Sequence, residues 1–153
     1  MEIRAYHPSD LPGVLRLCVM ENWPSFPEDE ARANRALTAP GVTTLVAVDG
    51  AQVMGFAQFM SDGEIQTHLA VIAVDPAARR TGLAKQLIVQ GLGAAGGLRV
   101  DLLTDSADAF YQSFPHFRLN GYRLYPEYSG PDHAQPGVVW ERGRKVSGPK
   151  NPD

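Results

Sequence analysis

The chain has 153 residues, 44% of them hydrophobic and 20% charged, the size and balance of one globular domain with its own core. A net charge of −3 gives no general attraction to nucleic acid or to an anionic membrane, so an anion site has to come from local placement of Arg and Lys. The single cysteine, Cys18, excludes an internal disulfide and a zinc site built on cysteines, and with no bilayer-length apolar run and no charged-then-apolar leader a cytoplasmic protein is expected.

In chain order, "EIRAY" alternates apolar and polar positions as a strand does, and "HPSDLPG" follows with Ser9 or Asp10 as a helix N-cap. Val14, Leu15, Leu17 and Cys18 recur at helical spacing, which predicts a helix from about Leu11 to Glu21, ended by the two prolines of "NWPSFP". "EDEARANRALTAPG" predicts a second helix, opened by acids suited to its positive N-terminus and closed by Pro40 and Gly41. "TTLVAV" and "QVMGFAQFM" are β-rich runs around the hairpin signal Asp49-Gly50, and with "EIQTHLAVIAV" after the turn "SDG" they predict an antiparallel meander. The last run loses its alternation in its second half, as a strand covered on both faces does. A helix from about Gly82 to Ala94, the breaker "AGG", a strand "RVDLLT", a short helix in "SADAFYQSF", strands "GYRLYP" and "GVVWER", and a polar, flexible tail over 143–153 complete the chain. This order predicts an α/β (α+β) domain over residues 1–142, with one mixed sheet between helices.

The stretch "AVDPAARRTGLAKQLI", residues 73–88, runs from a buried strand through a turn into a helix. A helix N-terminus leaves main-chain N–H groups unpaired and carries partial positive charge, so a phosphate placed there gains hydrogen bonds and a favourable dipole. Gly82 and Ala84 remove side-chain bulk where the main chain must approach such a ligand, and Arg79, Arg80 and Lys85 surround it with charge. The plain alternative is an ordinary strand-to-helix corner.

"VDPAARRTGLAKQLI" resembles the acetyl-CoA-binding motif of the GNAT superfamily of N-acetyltransferases: Gln or Arg, two residues, Gly, one residue, then Gly or Ala. Here these are Arg79, Gly82 and Ala84, with Val74 and Pro76 upstream, and the element order from residue 2 to about 142 is similar to the family's. The resemblance implies a GNAT-like mixed central sheet, flanked by helices and splayed at the CoA site. It implies that Arg79, Arg80, Thr81, Gly82, Leu83, Ala84 and Lys85 hold the pyrophosphate of CoA, and that the strand Ile72, Ala73, Val74 pairs with the pantetheine arm. Acetyl-CoA is the implied acyl donor, and no metal is implied.

Acetyl transfer to an amine must take a proton from an ammonium and return one to the departing thiolate. Ala107 and Tyr111 resemble the family's "A, three residues, Y" pattern, which implies Tyr111 as the acid facing the cofactor sulfur; a core tyrosine on a short amphipathic helix is the alternative. His68, six residues before Val74, stands where several branches of the family place a glutamate or histidine base. An imidazole, with an ordinary pKa near 6.5, suits that task. Alternation from Val74 through Ile72 and Ala70 puts His68 on their face of the strand, and one bulged residue would reverse it. A half-buried strand histidine, or a water chain as the base, are the alternatives; Glu64, which abuts the turn, is a weaker candidate. The sequence departs from the family where "QSFPHFRLNGYRLYP" delays the Gly121-Tyr122 pair, which brings His116, Phe117 and Arg118 toward the acceptor side as pocket residues or, as the favoured alternative, leaves them in a surface loop with scattered aromatics.

In the family the segment between the first two helices overhangs the acceptor. Here that is "ENWPSFPEDE", with Trp23 and Phe26 as apolar walls and Glu21 and Glu28 as partners for a cationic amine, Asp29 and Glu30 serving the helix start. The expected function is acetyl transfer to a primary amine, small or amino-acid-like. The alternatives are a GNAT-like domain that holds acyl-CoA without transferring the acyl group, and an interaction domain with no CoA affinity. Either a monomer or a homodimer is compatible, since an edge strand at "GVVWER" can pair with a second copy.

Overall fold

Five strands share one sheet in the order β1-β2-β3-β4-β5: β1 Glu2–Ala5, β2 Val42–Asp49, β3 Gln52–Ser61, β4 Gln66–Val74 and β5 Arg99–Leu102. The structure, a computed structural model, describes residues 1–123 and the main chain of Val139–Glu141 and Arg144–Ser147. The chain divides into two compact units, residues 1–103 and 104–153.

In the first unit β1 to β4 pair antiparallel and β5 joins β4 in parallel, giving the mixed sheet that the element order predicts. Alternation along the strands separates two apolar faces. Val46, Val48 and Phe56 meet Val14, Leu17 and Cys18 of α1 (Leu11–Met20) and Leu37 of α2 (Glu30–Leu37). Burial there pushes the Cys18 thiol up to about 11, so it stays a protonated core group. The opposite face receives α3 (Leu83–Ala95), with Leu83 and Leu87 beside Gly55 and with Gly91 against Phe59. A Cβ on Gly91 would lie 2.0 Å from Phe59 Cε2, so the absence of a side chain there sets how closely α3 lies on the sheet.

α1 and α2 start and stop near the expected places, with Asp29 capping α2 through the Arg32 N–H at 2.9 Å. In the second unit α4 is a single turn, Asp108–Tyr111, extended to Phe114 by tighter bonds such as Phe114 N–H to Tyr111 O at 3.1 Å. The strand expected over "GYRLYP" is absent at 121–123, and its remainder lies outside the described residues. β6 (Val139–Glu141) pairs antiparallel with β7 (Arg144–Ser147), which falls in the stretch expected as a polar tail. Among the described residues no helix is long and apolar enough to cross a membrane.

Candidate active site

β4 leaves the sheet at Val74, and buried Asp75 turns the chain. Asp75 Oδ1 accepts the Ala77 N–H at 2.9 Å and Oδ2 accepts Arg16 Nη1 at 2.7 Å, while Arg16 Nη2 donates to Val53 O at 2.7 Å. The Ala77 N–H first, and Arg16 second, hold the Asp75 carboxyl below the usual carboxylate range. Together they fasten a 3-10 turn at Pro76–Ala78 to α1 and β3.

From that anchor the chain passes through two left-handed residues, Arg80 (φ 63°) and Gly82 (φ 87°). For Arg80 this conformation costs roughly 1–2 kcal/mol, and turns of this kind point successive N–H groups to one side as an anion-binding nest. Gly82 is the N-cap of α3, and no side chain caps the helix. A Cβ on Gly82 would meet no atom within 4 Å, so the glycine answers to its φ, and the space beside it is open to a ligand. Thr81 Oγ1 braces the turn by donating to Ala78 O at 2.7 Å, buried Leu83 anchors the first turn of α3, Ala84 is half-buried, and Arg80 and Lys85 are exposed. Arg79 points elsewhere: its Nε donates to Val74 O at 3.0 Å and its guanidinium pairs with Glu21.

β5 accompanies β4 only from Gln66 to Leu69; from Ala70 to Val74 that edge of β4 has no strand partner among the described residues. Asp75 N–H donates to Met54 O at 2.8 Å, which makes Gly55 and Val74 a pair without mutual hydrogen bonds. Ile72 and Val74 therefore direct their main-chain N–H and C=O groups away from β3, into the gap, where the Val74 C=O already accepts from Arg79 Nε. Ala73, 3% exposed, directs its own toward β3, so of the three residues expected along a pantetheine arm only Ile72 and Val74 offer main-chain groups.

The pairing of β3 with β4 moves from Gln58↔Val71 to Phe59↔Leu69, leaving Ala70 as a bulged extra residue. Simple alternation, which places His68 on the face of Ile72 and Val74, is therefore corrected: His68 shares the α1 and α2 face with Val71 and Ala73, whereas Thr67 and Leu69 face α3.

On that face Met60, His68 and Asp101 stand in register across β3, β4 and β5. Half-buried His68 lines a groove of about 440 Å³ with Pro40, Gly41, Val42, Met60, Ser61, Asp62 and Gln66. Asp62 Oδ1 accepts the N–H groups of Glu64, Ile65 and Gln66 at 2.9, 2.8 and 3.0 Å, and these bonds hold its carboxyl below the usual range. Glu64 is exposed in that turn and is not among the groove's lining residues. Gln66 Nε2 donates to Asp101 Oδ2 at 2.8 Å, and Arg99 Nη2 donates to Gln66 Oε1 at 3.2 Å. Sequence reasoning missed Asp62, Gln66 and Asp101; the one available signal was the polar alternation of Arg99 and Asp101 in "RVDLLT".

The remaining candidates are placed as follows. Tyr111, in the second unit, is half-buried on α4 with its ring edge-on to Phe110 at 5.0 Å, and burial pushes its phenol above the usual range. Its N–H bonds to Ala107 O at 3.2 Å. His116 Nδ1 lies 2.9 Å from Phe114 O, Phe117 is exposed, and Arg118 lies 3.7 Å from Asp108. In the first unit Trp23 and Phe26 are half-buried and pack against the core under α1, while Glu28 is exposed. The described residues hold no metal-ligating cluster.

Residues 40–114 match the family model for an acetyltransferase (GNAT) domain. No curated protein matches the chain in sequence. Among solved structures, the apo aminoglycoside 6'-N-acetyltransferase AAC(6')-Ig of Acinetobacter haemolyticus is similar with a TM-score of 0.67 at 18% identity, over 83% of this chain and 98% of that one. Aminoglycoside N-acetyltransferase AAC(6')-Iy, in complex with CoA, is similar with a TM-score of 0.63 at 22% identity, over 80% and 93% of the two chains. An acetyltransferase of Trypanosoma brucei gives 0.61 at 22%, over 82% and 98%. At such identities the likeness is one of fold. The matched segment contains the β4 edge, the left-handed turn and α3, and over it the chain carries an acetyltransferase (GNAT) domain.

Proposed function

We propose that this protein is an N-acetyltransferase that moves an acetyl group from acetyl-CoA to the primary amine of a small or amino-acid-like acceptor, by direct attack in a ternary complex. The observation that carries the reading is the turn from Arg79 to Gly82, with its uncapped helix N-terminus beside the outward main-chain groups of Ile72 and Val74. One ligand suits both features: a pyrophosphate for the N–H groups and an amide-bearing arm for the strand edge. Arg80 and Lys85 add charge at the pyrophosphate end.

The bound donor supplies a thioester. His68 takes a proton from the acceptor ammonium; the freed nitrogen bonds to the acetyl carbon as the carbon–sulfur bond breaks, and the nitrogen gives its second proton to solvent to leave the neutral amide. Tyr111, whose phenol burial keeps protonated at neutral pH, donates its proton to the departing thiolate. The known acceptors of the aminoglycoside-modifying neighbours make cationic amines the first class to screen.

Calorimetry with acetyl-CoA tests the reading, using the Gly82→Trp variant, checked to be folded, as the control. Binding by the intact protein, its loss in the variant, and amine-dependent release of CoA support it. Tyr111→Phe is expected to slow release on the order of 10²-fold, and unchanged turnover would remove Tyr111 from the mechanism. Binding without amine-dependent release would favour the acyl-CoA-binding alternative, and no binding would return the turn to a structural corner.

A further inference from the structure

We infer that Asp101 is the residue that receives the acceptor's ammonium and presents it to His68, an assignment that rests on the acetyltransferase reading above. The register of β4 with β5 is unbroken from Gln66↔Arg99 to Leu69↔Leu102. His68 and Asp101 therefore project from adjacent strands on the same face, with main chains about 4.8 Å apart. Only one more residue pair follows before the two strands part, so Asp101 stands at the closed end of the splay whose open edge is formed by Ile72 and Val74.

The hydrogen bonds of Asp101 are incomplete in a directed way. Gln66 clamps Oδ2, while Oδ1 has no hydrogen-bond partner among the described residues. Arg99, the cation next to it on the same face of β5, is turned to Gln66 Oε1 and makes no ion pair with Asp101. A carboxylate with one oxygen clamped and the other accessible beside an imidazole suits a ligand that brings positive charge and N–H donors together, which is the description of an alkylammonium group. Asp62 also keeps one oxygen, Oδ2, without a hydrogen-bond partner among the described residues, but it lies in the β3–β4 turn, outside the row of Met60, His68 and Asp101. Its Oδ1 is filled by three N–H groups that build the β3–β4 turn. Met60, completing the row, gives the acceptor's carbon skeleton an apolar seat.

The test is calorimetric binding of two amine probes, the amino sugar sisomicin and the polyamine spermidine, to protein saturated with CoA. This dead-end complex needs no turnover. The assignment expects the intact protein to bind at least one probe with an affinity that weakens with salt. It expects Asp101→Asn to weaken that affinity by about ten-fold or more, Asp101→Glu to restore most of it, and acetyl-CoA affinity to be equal in all three. Asn at 101 still accepts from Gln66 Nε2 and so preserves the clamp. Unchanged amine affinity in the Asn variant overturns the assignment, as does failure of both probes to bind the intact complex. Should the Asn variant not fold, salt-independent amine binding by the intact protein overturns it. Amine binding that depends on Asp101 without any release of CoA from acetyl-CoA would uphold the assignment and remove the acetyltransferase reading.

Discussion

β4 has two ends that differ in what they are made of. Past the Ala70 bulge, the strand and the turn after it present main chain: the outward groups of Ile72 and Val74, the left-handed Arg80 and Gly82, and the uncapped start of α3. Before the bulge, the strand presents side chains, with His68 between Met60 and Asp101 and with Gln66 joining Asp101 to Arg99. The first end suits a ligand whose polar atoms repeat along a chain and whose charge sits at one tip. The second suits a small polar group that must be held and deprotonated. A single extra residue puts the His68 side chain on the face opposite the side chains of Ile72 and Val74.

If that division is real, the two ends can be broken separately. Gly82→Trp should abolish measurable acetyl-CoA binding, because φ 87° is strained for any residue with a Cβ and the indole fills the open side of the turn. His68→Asn should leave acetyl-CoA affinity unchanged and reduce kcat by about 10²- to 10³-fold. Calorimetry and a free-thiol assay on the same two proteins check both halves. Loss of cofactor binding in the His68 variant would mean that the two ends are coupled through the strand.

The same division explains what could be read in advance. The main-chain end was legible because its requirements are written as residue types: a glycine where φ is positive, a proline after the strand, and small residues at fixed spacing. The antiparallel meander and the helices were legible from hydrophobic period and from caps such as Asp29. The side-chain end was not. The direction of His68 depends on Ala70 being bulged, and nothing in "THLAVIAV" marks one alanine as the extra residue rather than a paired one. Asp101 became relevant only through its register with His68, a long-range parallel pairing that local pattern does not encode. Trp23 and Phe26 have the composition of pocket walls, and composition does not tell that each is half-buried against the core.

A smaller effect is expected at the anchor of the main-chain end. Asp75→Asn removes the ion pair with Arg16 while the amide oxygen can still accept the Ala77 N–H, so acetyl-CoA affinity should fall several-fold and the protein should lose some stability. The pH dependence has a definite sign. The Asp75 carboxyl lies below the usual range in the folded protein, so its stabilisation is complete above the ordinary carboxylate value of about 3.9 and disappears as pH falls through its lower folded value. Urea midpoints of the intact protein and the variant should differ by a constant amount from about pH 5 upward and converge in strong acid. A difference that persists undiminished in strong acid would show that packing, and not charge, is what Asp75 contributes.

The smallest expected effect concerns the contact between Glu21, at the end of α1, and the turn. Arg79 matches the first position of the pyrophosphate motif, yet its guanidinium is held by Val74 O and Glu21. Both partners of the ion pair are partly exposed, so solvent screening limits the pair to less than about 1 kcal/mol. Glu21→Gln removes the charge that competes with a pyrophosphate for Arg79, and acetyl-CoA affinity should rise by about three-fold, with a steeper loss on adding salt. A fall in affinity would give Arg79 the opposite role. It would then be a strut that ties the C-terminal end of α1 to the last carbonyl of β4, shaping the turn without touching the donor. The sign of that one change in affinity therefore decides whether Arg79 belongs with the charged ligands of the turn or with Asp75 and Arg16 as part of its frame.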